Sequence, residues 1–262
     1  MHFRNKVIWI TGASSGIGAT LVKLFDSQNA KLILTARNNE KLKQVKASIS
    51  NSTSCTILSA DLISDDLEQI AQQAISIYGQ IDIFINCAGV SQRSLTVETK
   101  MKVYRHLMEL NFFAPVRITK MLLPHFKERK TGHIVVLGSV AGLMGFPKRT
   151  GYSASKHALK GFYETLQVEH TIPGLNVSIV SPGRINTPIS LSALTGDGST
   201  HNQMDKGQLN GLDVLKCAKK IIQAIEQKKK HILIAKEEHI LWWFWKNIRF
   251  LYYRIARKKG LN

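Results

Sequence analysis

The sequence predicts a single α/β domain built on a doubly wound parallel sheet of about seven strands, followed by a helical tail. Two observations favour this fold class. Short β-branched runs alternate with longer segments of helical periodicity, and a glycine-rich turn follows the first run. Since parallel strands must be joined by crossover connections, this alternation is typical of a Rossmann-like sheet with helices on both faces. The length of 262 residues suits one such domain.

The predicted elements follow one another along the whole chain. Strands are expected at Val7–Thr11, Lys31–Thr35, Cys55–Ser59, Ile81–Asn86, His133–Gly138, Asn176–Val180 and His231–Ala235. The helices expected between them include Gly16–Gln28, Asp65–Tyr78, Met101–Phe126, Ser153–His170 and Asp213–Gln227. We assign residues 1–238 to the Rossmann-like domain and residues 239–262 to the tail. In such a sheet ligands bind beyond the carboxyl ends of the strands, so functional residues are expected there.

The composition favours anionic partners and a reducing compartment. Lys and Arg number 36 against 18 Asp and Glu, and the formal net charge of +18 suits phosphorylated cofactors, anionic lipids or nucleic acid. Cys55, Cys87 and Cys217 have the spacing of neither a disulfide framework nor a metal site, so we expect free thiols, a cytoplasmic location and no metal. The first residues are atypical of a signal peptide, and no apolar run is long enough to predict a spanning helix.

The turn after the first strand has the composition of a phosphate-binding loop. Residues Thr11–Gly18 have the sequence TGASSGIG, and a helical segment follows at once. Three glycines allow a tight turn and a close approach of a ligand, and the positive end of the next helix suits a pyrophosphate. The G-x-x-x-G-x-G spacing departs from the general G-x-G-x-x-G fingerprint. The candidate cofactor contacts in this turn are Gly12, Ser14, Ser15, Gly16, Ile17 and Gly18.

The end of the second predicted strand favours NADP(H) over NAD(H). Ala36 and Arg37 follow that strand, and no acidic residue occurs before Glu40. An acidic residue in this place accepts a hydrogen bond from the ribose of NAD, whereas an arginine accommodates the 2′-phosphate of NADP. We therefore predict that Arg37 binds this phosphate. The alternative is a solvated surface arginine on a basic protein.

Seven motifs in order resemble those of the short-chain dehydrogenase/reductase family. The resemblance extends from Lys6 to about Ala235. The motifs are TGASSGIG (Thr11–Gly18), Asp61-Leu62, NCAG (Asn86–Gly89), Asn111, Ser139, YSASK (Tyr152–Lys156) and PGRINT (Pro182–Thr187). The resemblance implies an NADP(H)-dependent enzyme that interconverts a carbonyl and a secondary alcohol, with reduction favoured in the cell.

The resemblance also implies which residues surround the cofactor. Asp61 would accept a hydrogen bond from the adenine amino group, with Leu62 beside it. Asn86, Ala88 and Gly89 would line the adenosine ribose. Cys87 stands where the family usually has a second asparagine, a change expected to affect stability more than activity. The residues expected to close over the nicotinamide are Pro182, Gly183, Ile185 and Thr187.

Four residues carry the catalytic roles that the resemblance implies. Tyr152 and Lys156 are four residues apart in a helical segment, which places both on one face. Tyr152 is the expected acid/base, and an adjacent ammonium favours the phenolate, so Lys156 is expected to lower the pKa of Tyr152 and to bind the nicotinamide ribose. Ser139 follows an apolar strand and is expected to hold the substrate carbonyl. Asn111 is expected to hold a water molecule of a proton relay.

The substrate is expected to be lipophilic. Specificity in the family resides mainly in the segment after the nicotinamide turn, here Pro188–Leu212, which is predicted to be a mobile substrate lid or else an irregular surface connection. Leu143, Met144 and Phe146 are candidates for an apolar pocket wall or for simple packing. The lid and tail resemble a branch of membrane-associated 11β-hydroxysteroid dehydrogenase-like and acyl-dihydroxyacetone-phosphate reductase-like enzymes. This favours a steroid-like, retinoid-like or lipid-precursor ketone. Family members commonly form homodimers or tetramers.

The C-terminal tail is basic and aromatic. In a helix, one apolar side would contain Leu241, Phe244, Trp245, Ile248, Leu251, Tyr252 and Ile255. Lys246, Arg254 and Arg257 would lie roughly opposite. This pattern predicts peripheral contact of residues 240–259 with an anionic membrane, on its cytoplasmic face. The alternative is packing on the enzyme's own body or on a partner subunit, over the substrate entrance.

Two other classes of protein were weighed against a reductase. The charge and the aromatic residues of the tail suit a nucleic-acid-binding protein, but this class leaves the Tyr152–Lys156 pair unexplained. A catalytically silent NADP-binding scaffold remains the alternative, and the intact Asn111, Ser139, Tyr152 and Lys156 favour an enzyme over it. We therefore expect a small carbonyl or alcohol substrate and no nucleic acid.

Overall fold

The strands described in residues 2–260 of the computed structural model form one parallel sheet in the order β3-β2-β1-β4-β5-β6-β7. Every neighbouring pair is parallel. The strands are β1 Val7–Thr11, β2 Lys31–Thr35, β3 Cys55–Ile57, β4 Ile83–Asn86, β5 Gly132–Leu137, β6 Leu175–Pro182 and β7 His231–Ile234. The strand order reverses between β1 and β4, which opens a ligand crevice at their carboxyl ends. The predicted doubly wound sheet is confirmed. Residue 1 of the predicted domain and residues 261–262 of the predicted tail lie outside the described residues.

Helices connect the strands and cover both faces. They are α1 Gly16–Asp26, α2 Asn39–Ala47, α3 Leu67–Tyr78, α4 Met101–Met108, α5 Ala114–Arg129, α6 Thr150–Glu169, α7 Lys206–Leu209, α8 Val214–Glu226, α9 Glu238–Asn247 and α10 Arg249–Gly260. Side-chain caps fix three of the starts, because Asn38 accepts from the N–H group of Lys41, Asp66 from those of Glu68 and Gln69, and Asp213 from that of Lys216.

Alternation along the strands divides the core into two layers. Trp9 of β1 packs on one face of the sheet, against Phe84, whereas Ile8 and Ile10 pack on the other face, with Leu21 of α1 among their neighbours. Strands buried on both faces are typical of a parallel sheet covered by helices.

The structure changes two predicted elements and adds a helix. The predicted helix Met101–Phe126 is interrupted by a π-helical turn at Glu109–Phe113 and ends at Arg129. The predicted third strand ends at Ile57 instead of Ser59, and α2 was not predicted. Helix α2 buries only Leu42 and Val45, so it has little apolar periodicity, and the Asn38 side chain caps its start.

The tail forms two helices instead of one, with a break at Ile248, where φ is −138° and ψ is 67°. The seven residues of the predicted apolar side are all partly or fully buried. Tyr252 is 2% exposed and packs with Val140 and Met144 on the body of the domain. One face of the tail therefore packs on the protein. None of the helices described in residues 2–260 is long and apolar enough to cross a bilayer.

Candidate active site

The turn after β1 has the shape of a phosphate cradle. Gly12 has a φ of 66°, and a Cβ there would lie 2.7 Å from the backbone nitrogen of Ala88. Only glycine therefore fits this close crossing of two strand ends. Ser15 precedes α1 without a side-chain capping bond, which leaves N–H groups of the first helical turn available for an anion. The predicted turn thus lies at the carboxyl end of β1, where folds of this kind bind a pyrophosphate.

Asn86 offers an unpaired buried donor beside this cradle. Its Oδ1 accepts a 2.8 Å hydrogen bond from the Thr11 hydroxyl, while its Nδ2 has no partner and the residue is fully buried. A buried donor without a partner is costly unless a ligand or water satisfies it. Together with the glycine cradle, this donor fits a dinucleotide at the carboxyl ends of β1 and β4. Ala88 and Gly89 follow at the same edge of the sheet.

Arg37 and Asp61, which were predicted to bind the adenosine part of the cofactor, lie close together. The Arg37 Nη1 is 4.0 Å from the Asp61 Oδ2, and 63% of the Arg37 side chain is exposed. Leu62, which follows Asp61, is buried. His106 of α4 lies near Arg37. Burial lowers the pKa of His106, and the positive charge of Arg37 lowers it further. No sequence motif indicated His106, because its approach depends on the packing of α4.

Tyr152 lies in the first turn of α6 and is mostly buried. The side-chain oxygen of Gln92 holds the start of this helix by accepting from the N–H groups of Gly151 at 2.7 Å and Tyr152 at 3.3 Å. Ser139 follows β5, and its hydroxyl oxygen accepts from the Ala141 N–H at 3.1 Å. This bond leaves the hydroxyl hydrogen free to donate toward a substrate oxygen or Tyr152.

The pKa of Tyr152 departs from the sequence-based expectation. Burial raises this pKa above its ordinary value, and hydrogen bonding from Ser139 together with the charges of Arg149 and Arg93 only partly opposes the rise. The net direction is therefore opposite to the lowering that was expected, and the contribution expected from Lys156 stays a prediction. Burial also lowers the pKa of Lys156, to about 8.

Lys156 lies one helical turn after Tyr152 and is buried. Its Nζ is 5.9 Å from the centroid of the Tyr152 ring. The π-helical turn brings Asn111 to the same place, where a Cβ on Gly89 would lie 3.0 Å from the Asn111 Oδ1 and 3.6 Å from the Lys156 Nζ. The structure thus brings together Asn111, Ser139, Tyr152 and Lys156.

Asn111 is fully buried and holds two segments of the site. Its Oδ1 accepts from the Val90 N–H at 2.9 Å, and its Nδ2 donates to the Val90 carbonyl and the Ser155 hydroxyl, both at 3.0 Å. Departures from α-helical pairing often mark functional positions. These bonds give Asn111 a positioning role, and its part in a water relay stays a prediction.

The predicted nicotinamide turn, Pro182–Thr187, lies over the phosphate cradle. A Cβ on Gly16 would be 3.3 Å from the Thr187 side chain. Ile185 is buried, and its carbonyl accepts hydrogen bonds from Thr187, at 3.3 Å, and from the Gln208 side chain. Gln208 belongs to the predicted lid, so lid and nicotinamide turn are directly connected. Sequence reasoning missed Gln208 because nothing in the pattern of the lid distinguishes it.

A polar network also ties the lid to the loop after β4. The Arg93 Nε donates to the Asp205 Oδ2 at 2.7 Å, and the Arg149 Nη2 is 3.5 Å from the same oxygen. The backbone of Arg93 donates to the Leu194 carbonyl at 2.8 Å. Arg93 and Arg149 lie close enough to Tyr152 for their charges to lower its pKa, and this network was not predicted. Met144 is buried against Tyr252, which favours packing over pocket lining, while Leu143 and Phe146 are partly exposed.

The comparisons agree with this geometry. A protein-family model described as "short chain dehydrogenase" matches residues 6–196 of this chain. Dehydrogenase/reductase SDR family member 7B of Danio rerio is 39% identical over 243 residues, covering 89% of this chain and 78% of that protein. The chain belongs to the short-chain dehydrogenase/reductase family. It is thus an oxidoreductase of the class that acts on CH–OH and C=O groups with a nicotinamide cofactor.

Solved structures share the fold. A short-chain dehydrogenase/reductase from Burkholderia phymatum in complex with NAD has a TM-score of 0.77 at 22% identity, over 89% of this chain and 90% of that one. A short-chain dehydrogenase from Sphingobium yanoikuyae in complex with NADPH has a TM-score of 0.75 at 26% identity, covering 87% of each chain. Both cofactors therefore occur on this fold.

The described residues offer no evident metal centre. No group of three or more His, Cys, Asp or Glu side chains in residues 2–260 is arranged to hold a metal ion. Cys55, Cys87 and Cys217 are free thiols, and burial raises the pKa of each.

Proposed function

We propose that the protein is an NADP(H)-dependent reductase that converts a lipophilic ketone into a secondary alcohol. The observation that carries this proposal is the placement of Tyr152 beside Ser139, with Lys156 one helical turn further along α6. A nicotinamide cofactor, when bound, supplies the hydride. The protein's own task is then to orient the carbonyl and to deliver one proton.

Tyr152 is protonated before the reaction, as a proton donor must be. Because burial raises its pKa and so makes the phenol a weaker acid, cations beside it are needed to stabilise the phenolate that proton transfer leaves. Ser139 donates to the carbonyl oxygen while Tyr152 protonates that oxygen. The buried ammonium of Lys156 and the guanidinium of Arg149 then stabilise the phenolate that remains. Asn111 holds the water molecule through which Tyr152 recovers its proton.

Arg37 supports the preference for NADP(H). Its side chain is largely exposed, has only a long ion pair with Asp61, and no acidic residue takes the place at the end of β2. The remaining cofactor contacts that we propose are Gly12, Ser14, Ser15, Gly16, Ile17, Gly18, Asp61, Leu62, Asn86, Ala88, Gly89, Tyr152, Lys156, Pro182, Gly183, Ile185 and Thr187.

A substrate panel tests this function. The consumption of NADPH or NADH is measured with steroid-like ketones, retinoid-like carbonyls and acyl-ketone phosphates. We expect turnover of at least one lipophilic class and a preference for NADPH that disappears in Arg37→Ala, while Arg4→Ala, at another exposed arginine, keeps it. A preference for NADH in the wild-type protein would contradict the cofactor assignment. NADPH binding without turnover of any class would favour a silent scaffold.

The outer face of the tail supports peripheral membrane contact. Ile240, Trp243, Phe250 and Tyr253 are exposed, with Phe250 at 76%. Exposed basic residues lie among them at Lys246, Arg249, Arg254 and Arg257, and no acidic residue follows Glu238. We propose that this face lies on the anionic cytoplasmic surface of a membrane, while the opposite face packs on the enzyme.

Vesicle sedimentation tests this contact. Full-length protein should sediment with vesicles containing phosphatidylserine and much less with phosphatidylcholine vesicles. The double substitution Trp243→Glu and Phe250→Glu should abolish the difference. The matched control is the double substitution Val97→Glu and Leu215→Glu, at exposed apolar residues outside the tail. Equal sedimentation of wild-type and doubly substituted protein would contradict the proposed surface.

Helices α4, α5 and α6 support assembly into a homodimer or tetramer. Exposed apolar side chains lie along these helices and the turn between them at Met101, Phe113 and Val168. Light scattering of the eluting protein should give two or four times the chain mass, and a monomer would contradict the proposal.

A further inference from the structure

Two adjacent glutamates at the start of α9, the first helix of the tail, have opposite surroundings. Glu237 is 61% exposed, whereas Glu238, the first residue of α9, is 2% exposed. The Glu238 carboxylate accepts from the Arg184 Nε at 2.6 Å and from the backbone N–H groups of Arg184 and Lys236, each at 3.3 Å. A buried carboxylate is costly unless it is paired in this manner. Glu238 thus has a specific partner in the nicotinamide turn.

The Glu238 carboxylate lies directly on the backbone of that turn. A Cβ on Gly183 would be 2.6 Å from the Glu238 Oε2 and 3.1 Å from the Ala235 Cβ. Glycine at position 183 therefore leaves the space that the carboxylate fills. Because Glu238 accepts from the Arg184 backbone as well as its side chain, it fixes the path of the main chain that leads to Ile185.

Arg184 extends this contact to the lid. A Cβ on Gly207 of α7 would be 3.0 Å from the Arg184 Nη1, and the Arg184 carbonyl accepts from the Leu212 N–H at 2.8 Å. Arg184, which is itself part of the nicotinamide turn, therefore contacts both the start of α9 and the lid. The ion pair between Arg184 and Glu238 joins the nicotinamide turn to the start of α9.

We propose that Glu238 is a positioning residue of the cofactor site, which acts through Arg184 to hold Gly183–Ile185 in the conformation that binds the nicotinamide. The start of α9 then contributes to cofactor binding, in addition to the proposed role of the tail at a membrane surface. This inference rests on the proposed binding of a nicotinamide by Pro182–Thr187.

Cofactor fragments separate this role from a general effect on folding. The full-length protein is titrated with NADPH and with 2′-phospho-ADP-ribose, which contains the same phosphates and adenosine but lacks the nicotinamide. Glu238→Gln should weaken NADPH binding roughly tenfold, because a buried charged partner is lost. Binding of the fragment should change by less than about twofold, because the fragment lacks the nicotinamide that Gly183–Ile185 would hold.

Matched variants sharpen the test. Glu237→Gln changes the neighbouring carboxylate, whose 3.3 Å contact with Arg184 is solvent-exposed, and should alter both affinities by less than about twofold. Arg184→Gln removes the other, more exposed partner of the ion pair with Glu238. This variant should reproduce the selective loss of NADPH affinity. It decides the question if Glu238→Gln does not fold.

The inference would be overturned by unchanged NADPH affinity in the folded Glu238→Gln and Arg184→Gln proteins. Equal weakening of NADPH and fragment would also overturn it, since that pattern indicates a general structural role. The same titrations with NADH and ADP-ribose cover the case of an NAD preference. A wild-type protein that binds neither dinucleotide overturns the proposed function itself, whereas wild-type binding with insensitive variants overturns only the role of Glu238.

Discussion

The ammonium group of Lys156 donates a 2.6 Å hydrogen bond to the backbone carbonyl of Leu137, the last residue of β5. This bond joins α6 to the strand that carries Ser139 two residues later. It therefore fixes the distance between the residue proposed to hold the carbonyl and the one proposed to protonate it. The same burial that permits the bond lowers the pKa of Lys156 to about 8, within reach of ordinary assays.

The reduction rate should depend on the protonation of Lys156. A lowered lysine pKa means that the ammonium is present below about pH 8 and is lost above it. Without this charge the Tyr152 phenolate is less stable, so kcat/KM for reduction should be level below pH 8 and fall above it. Lys156→Met should be slow at every pH and lose this inflection. A wild-type rate that rises through pH 8 would contradict the assignment.

Ser139→Ala should lower kcat by roughly 100-fold or more, because a hydroxyl that holds the reacting oxygen is lost. NADPH affinity should change little, since Ser139 is proposed to touch the substrate and not the cofactor. Ser153→Ala is the matched control, because its buried hydroxyl has no hydrogen-bond partner in the structure. Comparable kcat values for the two variants would argue against the role of Ser139.

Gly12→Ala should abolish cofactor binding and destabilise the fold. The substitution forces an alanine to a φ of 66° and places its Cβ against the Ala88 backbone. Gly79→Ala separates these effects, since Gly79 has a similar φ of 72° but open space around it. That control should cost about 1–2 kcal/mol of unfolding free energy and spare NADPH binding. Calorimetric titration with NADPH and urea unfolding measure both quantities, and normal NADPH binding by Gly12→Ala would contradict the cradle.

Acid should destabilise the protein through His133. This residue is buried on β5 against the Ser178 hydroxyl at 2.8 Å, and burial lowers its pKa from 6.5 to about 4. The folded state thus binds fewer protons than the unfolded state between these values, so stability falls as pH drops from 6.5 to 4. The expected loss is roughly 3 kcal/mol. His133→Asn should flatten this part of the urea-unfolding profile, and an unchanged slope would contradict the explanation.

The sheet and the glycine-rich turn after β1 could be predicted because they depend on local patterns. The glycines of Thr11–Gly18 and the four-residue spacing of Tyr152 and Lys156 fix their geometry within one turn or one helix. The apolar side of the tail was also predictable from its period. The break at Ile248 and the π-helical turn at Asn111 were not, since both depend on packing against distant segments.

Contacts between remote segments were the main omission. Glu238 and Arg184 are 54 residues apart, and Arg93 and Asp205 are 112 apart, so no local periodicity indicates either pair. The direction of the Tyr152 pKa was missed for a related reason. The four-residue spacing identified a neighbouring cation, but the depth of burial that raises the pKa of Tyr152 is a property of the assembled core.

Tyr152→Phe tests the central claim most directly. With a ketone that the wild-type protein reduces, NADPH consumption by this variant should fall roughly 1,000-fold while NADPH still binds, because the phenol is the proton donor but only one of many proposed cofactor contacts. Tyr104→Phe is the matched control, since it removes a hydroxyl that bonds Thr150 at the start of the same helix, at 3.1 Å, and it should retain most activity. If Tyr152→Phe consumes NADPH as fast as the wild-type protein does, the proposed mechanism is contradicted.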